Sequence, residues 1–152
     1  MFMSDKKIKI SYGYESDLNL KTLIALTRCY QNVHRRETQT IKSAGVTVSQ
    51  FAVLEILYHK GDMRVCEITK KVLSTAGNMT VVIENLVKDG LVQRTIDLND
   101  RRVNLISLTE KGRKIITENF LNHVENINQI FNVMTTNEKE NLIILLKKLS
   151  GV

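Results

Sequence analysis

Apolar residues in this chain recur at helical spacing along most of its length. From Asp17 onward, Leu20, Leu23, Ile24, Leu26, Tyr30, Val33 and Ile41 fall on one stripe. That spacing predicts a long helix with Asp17 as N-cap and Gly45 as its stop. Its second half, Gln31 to Gln39, is polar, so only a narrow stripe there is available for burial. Thr47 and Gln50 stand at capping-box spacing. The run Phe51, Val53, Leu54, Ile56, Leu57 and Tyr58 is apolar nearly all round and predicts a core helix ending at Gly61. A shorter helix is expected from Val65 to Leu73, with Val65, Ile68 and Val72 inward and Lys70 and Lys71 outward. After a turn at Ser74 to Gly77, the residues Met79, Val82, Ile83, Leu86 and Val87 form the inward stripe of a further helix. Asn78, Thr80, Val81, Glu84, Asn85 and Lys88 lie away from that stripe, and Gly90 stops the helix.

The pattern then changes. Asp97 to Thr109 reads as two short strands joined by a turn, with Asn99 and Asp100 supplying turn chemistry and Arg101 and Arg102 at the tip. Thr109 is expected to cap a long helix carrying Ile115, Ile116, Phe120, Val124, Ile127, Ile130 and Phe131 at spacings of three and four. Thr135 and Glu138 repeat the capping-box pattern ahead of a last helix with Leu142, Ile143, Leu145, Leu146 and Leu149. Helix, short turn, helix and hairpin is the order of a winged helix-turn-helix. The expected fold class is therefore mainly α with a minor β component. It comprises a flexible lead-in over residues 1–16, a dimerisation helix over 17–44, a winged helix-turn-helix domain over 45–108 and C-terminal dimerisation helices over 109–152. The terminal helices each carry an apolar stripe that a core of about 60 residues covers poorly. Packing two copies about a two-fold axis covers it, so a homodimer is expected.

Composition adds modest constraints. The 152 residues contain no proline, which suits uninterrupted helices, and no apolar run long enough to span a bilayer. No secretory leader is read at the start, and two distant cysteines fit a reducing cytoplasm. The net charge of +6 favours a polyanionic partner. It is not concentrated in the reading region, where residues 60–102 hold eight basic and six acidic side chains.

Candidate chemistry follows from placement. Thr75, Asn78, Thr80, Val81 and Asn85 face away from the core near a helix start, and Asn and Thr are suited to base edges in a major groove. Arg101 or Arg102 is suited to a narrow minor groove, with Asp100 orienting an arginine. Thr47, Ser49, Arg64, Lys70, Lys71 and Arg94 are candidate phosphate contacts, against the alternative of plain solvation. Tyr30, His34, Tyr58 and His59 are candidates for a pocket taking a phenol or carboxylate. Cys29 and Cys66 are expected to be buried and inert, with redox modification as the alternative. His34, His59 and His123 have no metal-ligand spacing, and no phosphate-cradling loop or nucleophile elbow is present. No enzyme activity, metal or cofactor is expected. A winged-helix protein-interaction module or an antirepressor is the competing class.

These residues resemble the multiple-antibiotic-resistance regulator (MarR) family of bacterial transcription factors from about Leu20 to Leu149. The resemblance rests on Asp100, Arg101 and Arg102 with Leu108 to Gly112 behind them, on Gly77 to Thr80 leading to Asn85 and Leu86, on Gly90 to Val92, and on Val48 to Phe51. It implies a cytoplasmic, nucleoid-associated homodimer on a palindromic double-stranded operator, usually a repressor released by a small phenolic ligand or by thiol oxidation. It also implies that Asp100 and Arg102 are the paired wing residues. Phe51 to Asp62 looks like the branch that senses quinones and hydroquinones. Thiol-sensing relatives carry a reactive cysteine at or before the start of the first helix, where neither Cys29 nor Cys66 stands.

Overall fold

The computed structural model describes residues 10–72, 75–96 and 104–151. The chain divides between Arg35 and Arg36 into two compact units. Helix α1 (Tyr14–Ser43) begins in the first unit and ends in the second. Its start differs from expectation. Asp17 is not the N-cap but lies in the first turn, and its carboxylate reaches back to accept the Ser11 hydroxyl at 2.6 Å and the Tyr12 N–H at 3.0 Å. Those two bonds, the Ser11 hydroxyl foremost, hold the Asp17 carboxyl below the ordinary carboxylate range. A side chain inside the first turn that grips the lead-in has no signature in apolar spacing, so periodicity placed the start three residues late. Leu20, Leu23, Ile24, Leu26 and Tyr30 are all exposed on the single chain, Leu23 at 59%.

The second unit holds α2 (Val48–Lys60), α3 (Val65–Lys71), α4 (Ala76–Lys88), β1 (Val92–Ile96), β2 (Asn104–Leu108), α5 (Glu110–Phe131) and α6 (Thr136–Ser150). Helix α2 starts as its capping box dictates. Thr47 Oγ1 accepts from Gln50 N–H, and Gln50 Oε1 accepts from Thr47 N–H at 2.9 Å. It stops at Gly61, whose φ of +80° is open to glycine at no steric cost. Phe51, Val53, Leu54 and Leu57 of α2 form the middle of the core. Against them pack Ile68 from α3, Met79, Ile83 and Leu86 from α4, Ile106 from β2 and Ile116 from α5. Fully burying side chains of this size contributes about 1.5–3 kcal/mol each.

The hairpin is antiparallel, with Val92 opposite Leu108 and Ile96 opposite Asn104. Its first strand lies upstream of the Asp97–Thr109 window in which both strands were expected. A further bridge joins Met63 to Ile106, with N–H···O bonds of 3.2 and 2.8 Å in the two directions. A single pairing of this kind leaves no alternating pattern to read. Helices α5 and α6 open on Thr109 and Thr135 as expected, each hydroxyl accepting the N–H three residues on. No residue of α6 is buried, and Leu145 and Leu149 are 63% and 68% exposed.

Candidate nucleic-acid interface

Helix α4 owes its orientation to its own apolar stripe. Met79, Val82, Ile83 and Leu86 are buried, which turns Asn78, Thr80, Val81, Glu84 and Asn85 outward on one exposed face. Val87 departs from the expected stripe and is 37% exposed, because it lies about 100° round the helix from the fully buried Leu86. Thr75 is the N-cap, and its hydroxyl accepts from Asn78 N–H at 3.3 Å. That bond fixes where the helix begins and holds the first turn in place. A helix of 13 residues is about 20 Å long, which suits a groove about 12 Å wide.

The flanking candidates differ in exposure. Lys70 and Lys71 close α3 and are exposed, as are Arg64 before it and Arg94 on β1. Arg64 N–H donates to Glu67 Oε2 at 2.9 Å, which holds the start of α3. Thr47 is occupied as a cap, and Ser49 is half-buried in the first turn of α2. Asp100, Arg101 and Arg102 lie outside the described residues.

Three carbonyls just past α4 are gripped by the start of α5. Lys111 Nζ donates to Asp89 O at 2.8 Å, Thr109 Oγ1 donates to Gly90 O at 2.7 Å, and Thr109 N–H donates to Leu91 O at 3.1 Å. Gly112 permits the approach, since a Cβ there would overlap the Leu91 carbonyl oxygen. On the other flank Gln50 Nε2 reaches Asp89 Oδ2 at 3.5 Å. Within Leu108 to Gly112 the sequence pattern marked Thr109 as the α5 cap and the rest only as a resemblance, and it gave no role to Asp89 or Lys111.

A cleft of about 440 Å³ opens between α2 and α3, lined by Ala52, Glu55, Ile56, His59, Lys60, Lys71 and Val72. His59 Nδ1 lies 2.8 Å from Glu55 O, and its ring meets Phe120 of α5 edge-on at 4.7 Å between centroids. Tyr58 stands farther from Phe120, at 6.4 Å. Tyr30 and His34 stack at 5.4 Å within the first unit. His123 was passed over as isolated, yet it is buried, 4.9 Å from Phe51, with Nδ1 3.1 Å from Thr40 Oγ1. Imidazoles are ambiguous in a hydropathy pattern, so only packing reveals this one. Both thiols depart from expectation: Cys29 and Cys66 are exposed. Among the described residues, no group of three His, Cys, Asp or Glu is placed to hold a metal.

The MarR family profile matches residues 46–103. The HTH-type transcriptional regulator MhqR of Bacillus subtilis is 33% identical over 133 residues, covering 88% of this chain and 92% of that protein. The chain belongs to the MarR family. Its solved relatives agree. A probable transcriptional regulator from Pseudomonas aeruginosa superposes with a TM-score of 0.74 at 27% identity, over 87% of this chain and 98% of that one. Bordetella bronchiseptica BpsR, whose DNA binding is regulated by 6-hydroxynicotinic acid, has a TM-score of 0.73 at 30% identity, over 84% and 91%. The mainly helical fold with a two-stranded wing is thus the MarR winged helix-turn-helix, and this MarR-family chain is a DNA-binding transcriptional regulator rather than an enzyme. MarR regulators bind DNA and small-molecule ligands. No helix among the described residues is long and apolar enough to cross a membrane.

Proposed function

We propose that this MarR chain is a homodimeric repressor that reads a palindromic operator and is released by a small aromatic ligand. One observation carries the reading part: the exposed face of α4, with Asn78, Thr80, Val81 and Asn85, stands on a buried apolar stripe behind a Thr75 cap. In this reading α4 enters the major groove and the Asp100–Arg102 segment the adjacent minor groove. Ser49, Arg64, Lys70, Lys71 and Arg94 take phosphates, and Thr47 fixes the α2 N-terminus beside them. Residues 17–44 and 109–152 form the dimer interface, supported by the exposed aliphatic residues of α1 and α6. The molecule then acts in the bacterial cytoplasm, where its operator is.

The effector reading is supported by the α2–α3 cleft. Its apolar floor of Ala52, Ile56 and Val72 suits a flat ring, and His59, Lys60 and Lys71 suit a phenolate or carboxylate. A hydroxylated aromatic acid is the ligand of the BpsR relative. The exposure of Cys29 and Cys66 favours a second reading, in which alkylation or oxidation of a thiol supplies the release signal.

The test begins by selecting duplexes from a randomised library with the purified protein. The expected product is a palindrome with half-sites about one helical turn apart, bound by two chains with affinity that falls steeply as salt rises. Arg102→Ala should weaken that binding by well over the ~1 kcal/mol of a surface ion pair while the dimer persists. Hydroxybenzoates, hydroxynicotinate or quinones should release the duplex. Failure to enrich any sequence over the starting library refutes the reading.

A further inference from the structure

We infer that Lys111 is a positioning residue for sequence recognition: seated on the carbonyl of Asp89, the residue that caps α4, it helps fix the tilt of that helix on α5. This rests on the DNA-reading role proposed above. A helix ends with four carbonyls lacking intrahelical partners and with the negative end of its dipole. At α4 the cap residue Asp89 gives its N–H to Asn85 O, and its carbonyl goes to the Lys111 ammonium at 2.8 Å. Such a charge-assisted bond is roughly twice as strong as a neutral one.

The adjoining carbonyls of Gly90 and Leu91 go to Thr109, and Thr109 Oγ1 also accepts Gly112 N–H at 3.1 Å. One threonine therefore closes α4's exit and opens α5. The two helices meet in a joint where the Lys111 bond to Asp89 O stands beside the Gln50 contact to the Asp89 carboxylate at 3.5 Å. Asn78 lies eleven residues up α4 from Asp89, roughly 16 Å along the axis. A tilt of about 3° at the joint, small enough for the packed core around Met79 to follow, displaces it by about 1 Å, enough to lengthen a hydrogen bond to a base edge beyond its range. With α5 in the dimer stem, the same tilt also sets the spacing between the two reading helices.

A lysine on an exposed edge can instead hold a DNA phosphate, and the experiment separates the two roles. Full-length wild type, Lys111→Met and Lys111→Arg are titrated against the duplex that wild type selects, against that duplex with one central base pair inserted, and against random duplex, across a salt series. Positioning predicts that Lys111→Met loses about tenfold on the selected duplex, the size of a lost base contact, and discriminates poorly against the inserted one. Affinity for random duplex and the salt slope stay at wild-type values, and Lys111→Arg restores discrimination. An equal loss on selected and random duplex, with a salt slope shallower by about 0.9, assigns Lys111 to a phosphate and overturns the inference. Unchanged binding by Lys111→Met overturns it as well. Should Lys111→Met fold poorly, Lys111→Gln carries a neutral donor and is held to the same outcomes. A wild type that selects no duplex overturns the DNA-reading proposal together with this one.

Discussion

Gly112→Ala should destabilise the protein, whereas the same exchange at Gly77 should not. Both glycines sit in the first turn of a helix. Around Gly77 nothing lies within 4 Å of where a Cβ would be. At Gly112 that Cβ would overlap the Leu91 carbonyl oxygen, lie 2.9 Å from its carbon and 3.3 Å from Leu108 Cδ2. Neither backbone nor a core leucine can yield by a rotamer change, so the joint between α4 and α5 must open. Overpacking of this kind costs about 1–3 kcal/mol. Opening also strains the Thr109 bonds to Gly90 and Leu91, each contributing about 1 kcal/mol. The gain in helix propensity is at most about 1 kcal/mol. The balance for Gly112→Ala is a loss of about 2–4 kcal/mol, and for Gly77→Ala a gain of up to about 1 kcal/mol. Urea unfolding at equal chain concentration measures both, since an associating protein's midpoint depends on concentration. In a thermal melt the Gly112 variant should fall by several degrees. A Gly112→Ala midpoint at or above wild type would refute the close approach.

Glu138 accepts the Thr135 N–H at 2.8 Å and its hydroxyl at 3.0 Å, and these bonds hold its carboxyl below the ordinary 4.5. A depressed folded value gives stability that is present above the unfolded value and lost as pH falls through the folded one. Glu138→Gln should therefore flatten the stability–pH curve below pH 4.5, read as urea midpoints, and an unchanged slope would deny the bond its role. Replacing both Leu145 and Leu149 with Glu should convert the proposed dimer to single chains in sedimentation without loss of helicity. Persistence of the dimer would place the interface away from α6.

What the sequence disclosed depended on the range of the interaction. The caps at Thr47, Thr109 and Thr135 are three-residue rules and were legible outright. The buried stripe of α4 was legible too, except at Val87, which lies at the edge of the stripe beside the fully buried Leu86. Asp17 eluded periodicity because its partners precede the helix. The Met63–Ile106 bridge, the burial of His123 and the hold of Lys111 on Asp89 depend on segments 22 to 83 residues apart, which no local pattern encodes. Cys29 and Cys66 were misplaced because a helix that carries apolar residues need not cover its thiols.

The joint beyond α4 holds main-chain oxygens of Asp89, Gly90 and Leu91, and is therefore blind to the residues on the helix's outer face. Exchanging Asn78, Thr80, Val81 and Asn85 for another set leaves every one of those attachments standing. The scaffold behaves as an interchangeable chassis: on the reading proposed for α4, new operator preferences can evolve, or be engineered, as a cassette of four side chains on an unaltered mount.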